Sequence, residues 1–421
     1  MKRIKQISVK NLFGMFDHTI PLNMDERITI IHGPNGFGKT AILRLLNSLF
    51  SQDNSALHII PFGEFRVDFE DGTDLRVSTA PVPPNQYKDN PYFSLITQSK
   101  IIFHFFDSGQ KEVIVSPKKP PINIGRRVGL PGQSITNASV EGDPKERDNK
   151  VLLELRQSIS LRLIETQRLQ GTISETVEGY ERSYEGLSVM AYSVELAQII
   201  ETKLAESTTL SQSLDRTFPS RLVNPTTRQK SFGVDEIRSK LIALESKRQY
   251  LMATGLLDQE GADAIQVQEQ DQIDESTKVV LSVYAEDTEK KLGIFDELAN
   301  KIDLLKRIIN KRFLYKEMTI SKERGFIFTN AKGIMLSPDD LSSGEQHELI
   351  LFYELLFKVA PGSLILIDEP EISLHVVWQE QFLEDVLAVT RLSNIDVLLA
   401  THSPDIIAGR RDLMVELKGP E

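Results

Sequence analysis

The 421-residue chain contains no cysteine. Disulfides, thiolate-held zinc and cysteine nucleophiles are therefore excluded. No apolar run is long enough to cross a bilayer, and the opening MKRIKQISVK lacks the apolar core of a signal peptide. A cytoplasmic protein without membrane contact is expected. Positive charge is scarce: 49 Lys and Arg stand against 60 Asp and Glu, for a formal net charge of -11. That balance argues against a surface given over to nucleic acid, although a local basic groove stays open. The single tryptophan, Trp378, reads as structural.

What is present is a globular composition, 40% hydrophobic and 26% charged, over a length that suits two or three domains or one domain with a large insertion. Arg3 to Val9 alternates as a strand does, and Ile28 to Ile31 is a β-branched run ending in glycine. Ala41 to Phe50 has helical spacing. Phe65 to Phe69 with Leu75 to Val77, and Ile101 to Phe106 with Val113 to Val115, flank hairpin-turn signals. Residues 117–150 are rich in Pro, Gly, Asn and charge and read as a long loop. A strand is expected near Ser158 to Glu165. From Gly171 to Phe313 the pattern is helical, with polar breaks around Phe218 to Asn224 and Asp258 to Asp271. Its clearest part is the apolar stripe Val279, Val283, Leu292, Phe295, Leu298, Ile302, Leu305, Ile308 and Ile309, which predicts internal packing. The β/α pattern resumes at Lys316. The expected division is 1–169 and 314–421 as two halves of a nucleotide-binding core, with 170–313 as a helical insertion.

Gly33-Pro34-Asn35-Gly36-Phe37-Gly38-Lys39-Thr40 fits GxxxxGK[ST] without a mismatch and lies between a predicted strand and helix. Glycines let the backbone curl so that its N–H groups, with those at the helix start near Ala41, face a phosphate. Lys39 would reach the β- and γ-phosphates, and the Thr40 hydroxyl would ligate Mg²⁺. The second element is the apolar strand Leu364 to Ile367, ending in Asp368-Glu369. Two carboxylates at that end lie at the ligand edge of a buried parallel sheet. Asp368 would hold Mg²⁺, and Glu369 would polarise the water that attacks the γ-phosphorus.

Leu341-Ser342-Ser343-Gly344-Glu345-Gln346 precedes an apolar helix and resembles the LSGGQ signature of ABC ATPases, with Ser343 in place of the first glycine and Glu345 before the Gln. In that family the segment grips the γ-phosphate of a nucleotide held by the opposite subunit. A plain serine N-cap at Ser342 or Ser343 is the simpler alternative. Two further matches follow the family order. His402, in Leu398-Leu-Ala-Thr-His-Ser-Pro404, resembles the switch histidine that touches the γ-phosphate, against a satisfied core histidine. Gln167, after the Ser158 strand, resembles the Q-loop glutamine that senses Mg²⁺, against an ordinary polar loop residue. Glu371 to His375 stands at the D-loop position but departs from the family's usual sequence. The resemblance implies an α/β fold: an ABC ATPase head, a P-loop NTPase with a mixed sheet and N-terminal β-rich lobe, carrying a helical or coiled-coil insertion.

Within that family KQISVKNLFGMFDHTIPL is similar to the opening of the RecF, SMC-like and OLD-type ATPases. The insertion is too short for a long SMC arm and, without cysteine, cannot carry a zinc hook. Only Asp405 to Glu421 follow the histidine strand, so no TOPRIM nuclease domain of the OLD kind is expected. A head with a short helical insertion and no nuclease resembles the ATPase subunits of bacterial anti-phage systems, those of PARIS more than those of Septu. That resemblance implies an ATP-dependent sensor and scaffold. It would form a homodimer through the heads and a higher homo-oligomer, hold a separate effector nuclease or toxin, and answer to a phage protein. The alternative is a RecF- or SMC-like DNA-repair or DNA-clamping ATPase, which the acidic balance disfavours and Lys118, Lys119, Arg126 and Arg127 keep open. A third reading is a nucleotide-gated structural protein that does not hydrolyse.

Overall fold

The computed structural model describes residues 2–51, 53–81, 99–106, 112–115, 153–164, 172–177, 180–185, 188–223, 232–258, 274–372 and 374–420. The expected 117–150 loop lies outside them. In chain order come β1 (Ile4–Leu12), β2 (Phe16–Pro21), β3 (Ile28–His32), α1 (Lys39–Phe50), β4 (Glu64–Phe69), β5 (Asp74–Pro81), β6 (Ser99–Phe106), β7 (Glu112–Val115) and β8 (Leu161–Ile164). A hairpin of β9 (Thr172–Val177) and β10 (Tyr180–Glu185) precedes helices α2 (Ser188–Val223), α3 (Val234–Ala253), α4 (Glu275–Gly293) and α5 (Asp296–Arg312). Then follow β11 (Lys316–Ser321), β12 (Gly325–Asn330), β13 (Met335–Leu336), α6 (Ser343–Phe357), β14 (Leu364–Asp368), α7 (Val376–Ser393), β15 (Asp396–Thr401) and β16 (Met414–Glu416). Contacts divide the chain into two compact units, Met1–Thr166 with Val359–Glu421, and Gln167–Lys358.

The first unit holds two sheets. One is antiparallel, in the order β2-β1-β4-β5-β6-β7. Burial alternates residue by residue along β2 and β4, as expected where one face meets a core and the other does not. The other sheet runs β16-β3-β15-β14-β8 with every pairing parallel. Its central strands are buried almost without interruption, which is why they read as unbroken apolar runs. Helix α1 buries Ile42, Leu43, Leu45, Leu46 and Leu49 completely and leaves Thr40, Arg44 and Asn47 on its narrower, less buried face. These side chains share one cluster with Ile7, Val9, Phe65 and Val67 of the antiparallel sheet and Leu366 and Leu398 of the parallel one. The helix that carries Lys39 and Thr40 is thereby clamped. Truncating one such leucine to alanine costs about 2–5 kcal/mol.

The second unit corrects the sequence reading in one place. Residues 172–177 and 180–185 pair as antiparallel strands instead of starting a helix. Thr172, Ile173, Thr176 and Val177 are β-branched, and that local preference outweighs the helical periodicity that sets in from Ser188. The break expected around Phe218 to Asn224 falls at the far end of that range: α2 runs to Val223 with Pro219 inside it. Arg221 secures that last turn, donating to the Leu214 carbonyl at 2.9 Å and to both oxygens of Asp287 at 2.6 Å. The apolar stripe from Val279 to Ile309 is buried throughout, as internal packing requires, though α4 and α5 divide it at Ile294–Phe295.

Residues 314–358 belong to this unit because β12 packs on α2, and α5 packs on both β11 and α6. Gly325, at φ 74°, is required there, since a Cβ would lie 1.9 Å from the Ser193 carbonyl oxygen. Between α5 and α6, Arg312 and Glu348 form an ion pair with side chains 1% and 0% exposed, and the guanidinium lies 5.1 Å from the centre of the Phe352 ring. Among the described residues no helix is long and apolar enough to cross a membrane.

Candidate functional site

Strand register assembles the first half of the site. Thr401 pairs with His32 and Asp368 with Ala400, so residues 33–40, 368–371 and 401–403 all leave the parallel sheet along one edge. The carboxyl edge is where such sheets bind ligands.

After His32 the chain turns sharply, with Gly36 at φ 87° and Gly38 at φ 90°. Only glycine takes that left-handed conformation freely. At Gly38 space adds to the demand, since a Cβ would stand 2.4 Å from Leu12 Cδ2. Gly38 is also the residue before α1, so the loop delivers the free N–H groups of the first helical turn to the same place. Pro34, Asn35 and Gly36 form the exposed rim, whereas Ala41 is buried in the core and leaves only its N–H for a ligand. Lys39 is 4% exposed, and its ammonium donates to the carbonyls of Gly33 at 2.6 Å and Pro34 at 3.1 Å. Phe37 is held from outside by Phe16, with ring centres 5.3 Å apart, and by His18 Nε2–H, which donates to its carbonyl at 2.9 Å. Burial pushes His18 below the ordinary imidazole range, against the Phe37 carbonyl and Asp17, so it props the loop as a neutral ring.

The Thr40 hydroxyl donates to Asp368 Oδ1 at 3.1 Å. A hydroxyl and a carboxylate oxygen at that spacing suit magnesium, which completes its shell with water and phosphate oxygens. Among the described residues no group of three or more His, Asp or Glu forms an all-protein cage instead. Glu369 follows at φ 44°, an unusual conformation for a residue with a side chain, held by its N–H donating to the Ala400 carbonyl at 2.9 Å. Its Oε1 is 3.9 Å from His402 Nδ1, so the two candidate catalytic residues meet.

One carboxylate of the site carries no sequence signal of its own. Glu371, with its side chain 7% exposed, accepts at Oε1 from the Thr401 hydroxyl at 2.7 Å and the His402 N–H at 2.9 Å. The same oxygen lies 3.0 Å from His402 Nδ1. Its separation of thirty positions from Thr401 hides the relationship from any local pattern.

The signature segment lies in the second unit. Ser342 is the N-cap of α6 and forms a reciprocal box with Glu345: its oxygen accepts from the Glu345 N–H at 3.4 Å, and its N–H and hydroxyl each donate to Glu345 Oε2 at 2.8 Å. The N-cap alternative is therefore realised at Ser342. Glu345 is turned inward, where Lys316 donates to both oxygens at 2.9 and 2.7 Å. Burial pushes its carboxyl up, but Lys316 and Ser342 outweigh that and hold it below the ordinary carboxylate range. Gln346 also turns back, donating to the carbonyls of Asp339 at 3.1 Å and Leu341 at 3.0 Å. What stays open is Ser342, Ser343 and the start of the helix at Gly344. Pairing Glu345 with Lys316 keeps an uncompensated negative charge away from a helix N-terminus suited to anions. Gln167 and Ser373 lie outside the described residues.

Comparison with known proteins is consistent with this geometry. A family model described as AAA ATPase domain matches residues 1–407. No match is found among curated proteins. Solved structures that resemble the chain include the Smc head domain with an extended coiled coil bound to the C-terminal domain of ScpA, from Pyrococcus furiosus. It is 14% identical, with a TM-score of 0.37, and the match covers 97% of this chain and 92% of that one. The SMC head domain from Thermotoga maritima is 10% identical, with a TM-score of 0.35 and coverage of 99% and 95%. Likenesses that slight carry no argument, and the assignment rests on the family match: the chain belongs to the AAA ATPase domain family.

Proposed function

We propose that this ATPase binds ATP with magnesium on the 33–41 loop and hydrolyses it in a site completed by a second copy of the chain. The observation that carries this reading is the 3.1 Å contact of Thr40 with Asp368, at the sheet edge where Glu369 and His402 also meet. The loop amides and Lys39 hold the phosphates. Thr40 and Asp368, with Gln167, are the residues that would hold magnesium, which when bound neutralises charge on the phosphate oxygens. Glu369 orients the attacking water and His402 contacts the γ-phosphate. Ser342, Ser343 and Gly344, backed by Glu345 and Gln346, meet the γ-phosphate held by the opposite copy. In domain terms, 1–169 and 314–421 form the head and 170–313 its insertion.

Calorimetry and phosphate release test this. Lys39→Ala is expected to abolish nucleotide binding. Glu369→Gln should keep binding, stop turnover and stabilise the dimer by mass measurement. Equal turnover in wild type and Glu369→Gln would remove Glu369 from its role.

In the wider reading ATP state governs assembly: the chain acts as sensor and scaffold in anti-phage defence and controls a separate nuclease or toxin in response to a phage protein. Its support is a candidate ATPase site without a second catalytic constellation among the described residues. Co-purification with the products of neighbouring genes tests it, and a chain that stays partnerless counts against it. The rival, a DNA-clamping ATPase, predicts ATP-dependent duplex binding that weakens steeply with salt.

A further inference from the structure

We infer that Glu371 is a positioning residue for His402. The inference rests on the reading of His402 as the group that meets the γ-phosphate. Within the first unit, Glu371 Oε1 accepts from the Thr401 hydroxyl at 2.7 Å and from the His402 N–H at 2.9 Å, and lies 3.0 Å from His402 Nδ1. One oxygen thus holds the strand end, the backbone of the turn and the imidazole together. With Nδ1 turned toward the Glu371 carboxylate at 3.0 Å, Nε2 is the ring nitrogen left for a ligand. A second residue shows that the two turns are joined as a unit. Gln379 donates to the carbonyls of Glu371 and Leu374, each at 3.3 Å, and accepts from the Ser403 hydroxyl at 2.9 Å.

Space-filling alone does not account for Glu371. Its other oxygen, Oε2, is buried and has no hydrogen-bond partner among the described residues. A buried carboxylate oxygen left in that state is unfavourable, and an apolar side chain of similar volume would avoid the cost. The carboxylate is explained by what Oε1 does to His402. Removing the residue that orients a metal-bound imidazole from behind typically costs about 10–100-fold, and an effect of the same order is expected for an imidazole that meets a phosphate.

The test is a double-mutant cycle in the full chain, with steady-state ATP hydrolysis as the readout. Glu371→Gln keeps the size of the side chain and removes the charge. We expect it to lower kcat about ten-fold or more, with KM within about two-fold because the phosphate loop is untouched. In the double variant with His402→Ala we expect no loss beyond that of His402→Ala alone, since Glu371 acts through the imidazole. Unchanged kcat in Glu371→Gln, or losses that multiply in the double variant, would overturn the inference. If Glu371→Gln does not fold, Glu371→Asp takes its place in the cycle, where a shared loss supports the inference and a multiplied loss overturns it. His402→Ala turning over like wild type is a separate outcome: it removes the reading of His402, and the inference with it.

Discussion

The buried pair of Arg312 and Glu348 allows a quantitative test of the second unit. Glu348→Gln is nearly isosteric, so packing changes little, but Arg312, at 1% exposure, loses the charge of Glu348. An arginine cannot shed its proton to escape, so the charge remains. Two unit charges about 4 Å apart attract by roughly 4 kcal/mol at an effective dielectric near 20. Breaking a buried pair from one side typically costs about 3–5 kcal/mol. The Phe352 ring, 5.1 Å from the guanidinium, offsets only part of this. Each kcal/mol moves the midpoint by about 2–4 °C in a domain of some 150–250 residues, so a drop of roughly 6–20 °C is expected. Circular dichroism of the helical signal reads it. Replacing both partners by apolar residues, Arg312→Met with Glu348→Leu, should recover most of the loss, because neither charge is then stranded. A Glu348→Gln midpoint within about 2 °C of wild type, or a double variant as unstable as the single one, would refute the reasoning.

Three further outcomes are expected. Gly38→Ala combines φ 90° with a Cβ 2.4 Å from Leu12 Cδ2, so it should destabilise the first unit by about 1–3 kcal/mol and weaken nucleotide binding, as a thermal melt and titration calorimetry would show. Glu345 is held below its ordinary value of 4.5 in the folded chain. Its contribution is therefore fully present above about pH 4.5 and is lost as pH falls through the lower folded value, and Lys316→Met should diminish that acid dependence in melts across roughly pH 3 to 6. Substituting Ser343 should impair hydrolysis without removing ATP from the Lys39 loop, because the two halves are proposed to come from different copies; loss of ATP binding in that variant would contradict the division.

Much of the candidate site is legible in the sequence because its geometry is local. Eight residues from Gly33 to Thr40 suffice to build the phosphate loop, and Gly36 and Gly38 take the positive φ that only glycine accepts freely. Strands β3, β14 and β15 announce themselves as apolar runs because both their faces are covered. The misreading has a local cause too. Thr172 to Glu185 merges into the helical pattern beyond it, and Pro219 lies inside α2, whose last turn the bonds of Arg221 secure. Ser342 shows the limit of motif reading: signature residue and N-cap look like alternatives, and the fold makes it an N-cap with Glu345 turned inward.

The sequence alone determined which groups are available: a phosphate loop, two carboxylates after an apolar strand, a histidine after another and a capped helix. Tertiary structure decided which of them meet. Parallel register brings Thr40 to Asp368 across 328 positions and Glu371 to Thr401 across 30. Folding within the second unit pairs Lys316 with Glu345 and buries Arg312 against Glu348. The physical reason is that periodicity and turn chemistry act over a few residues, whereas the partner of a buried charge is set by strand order and helix packing, which no local window contains.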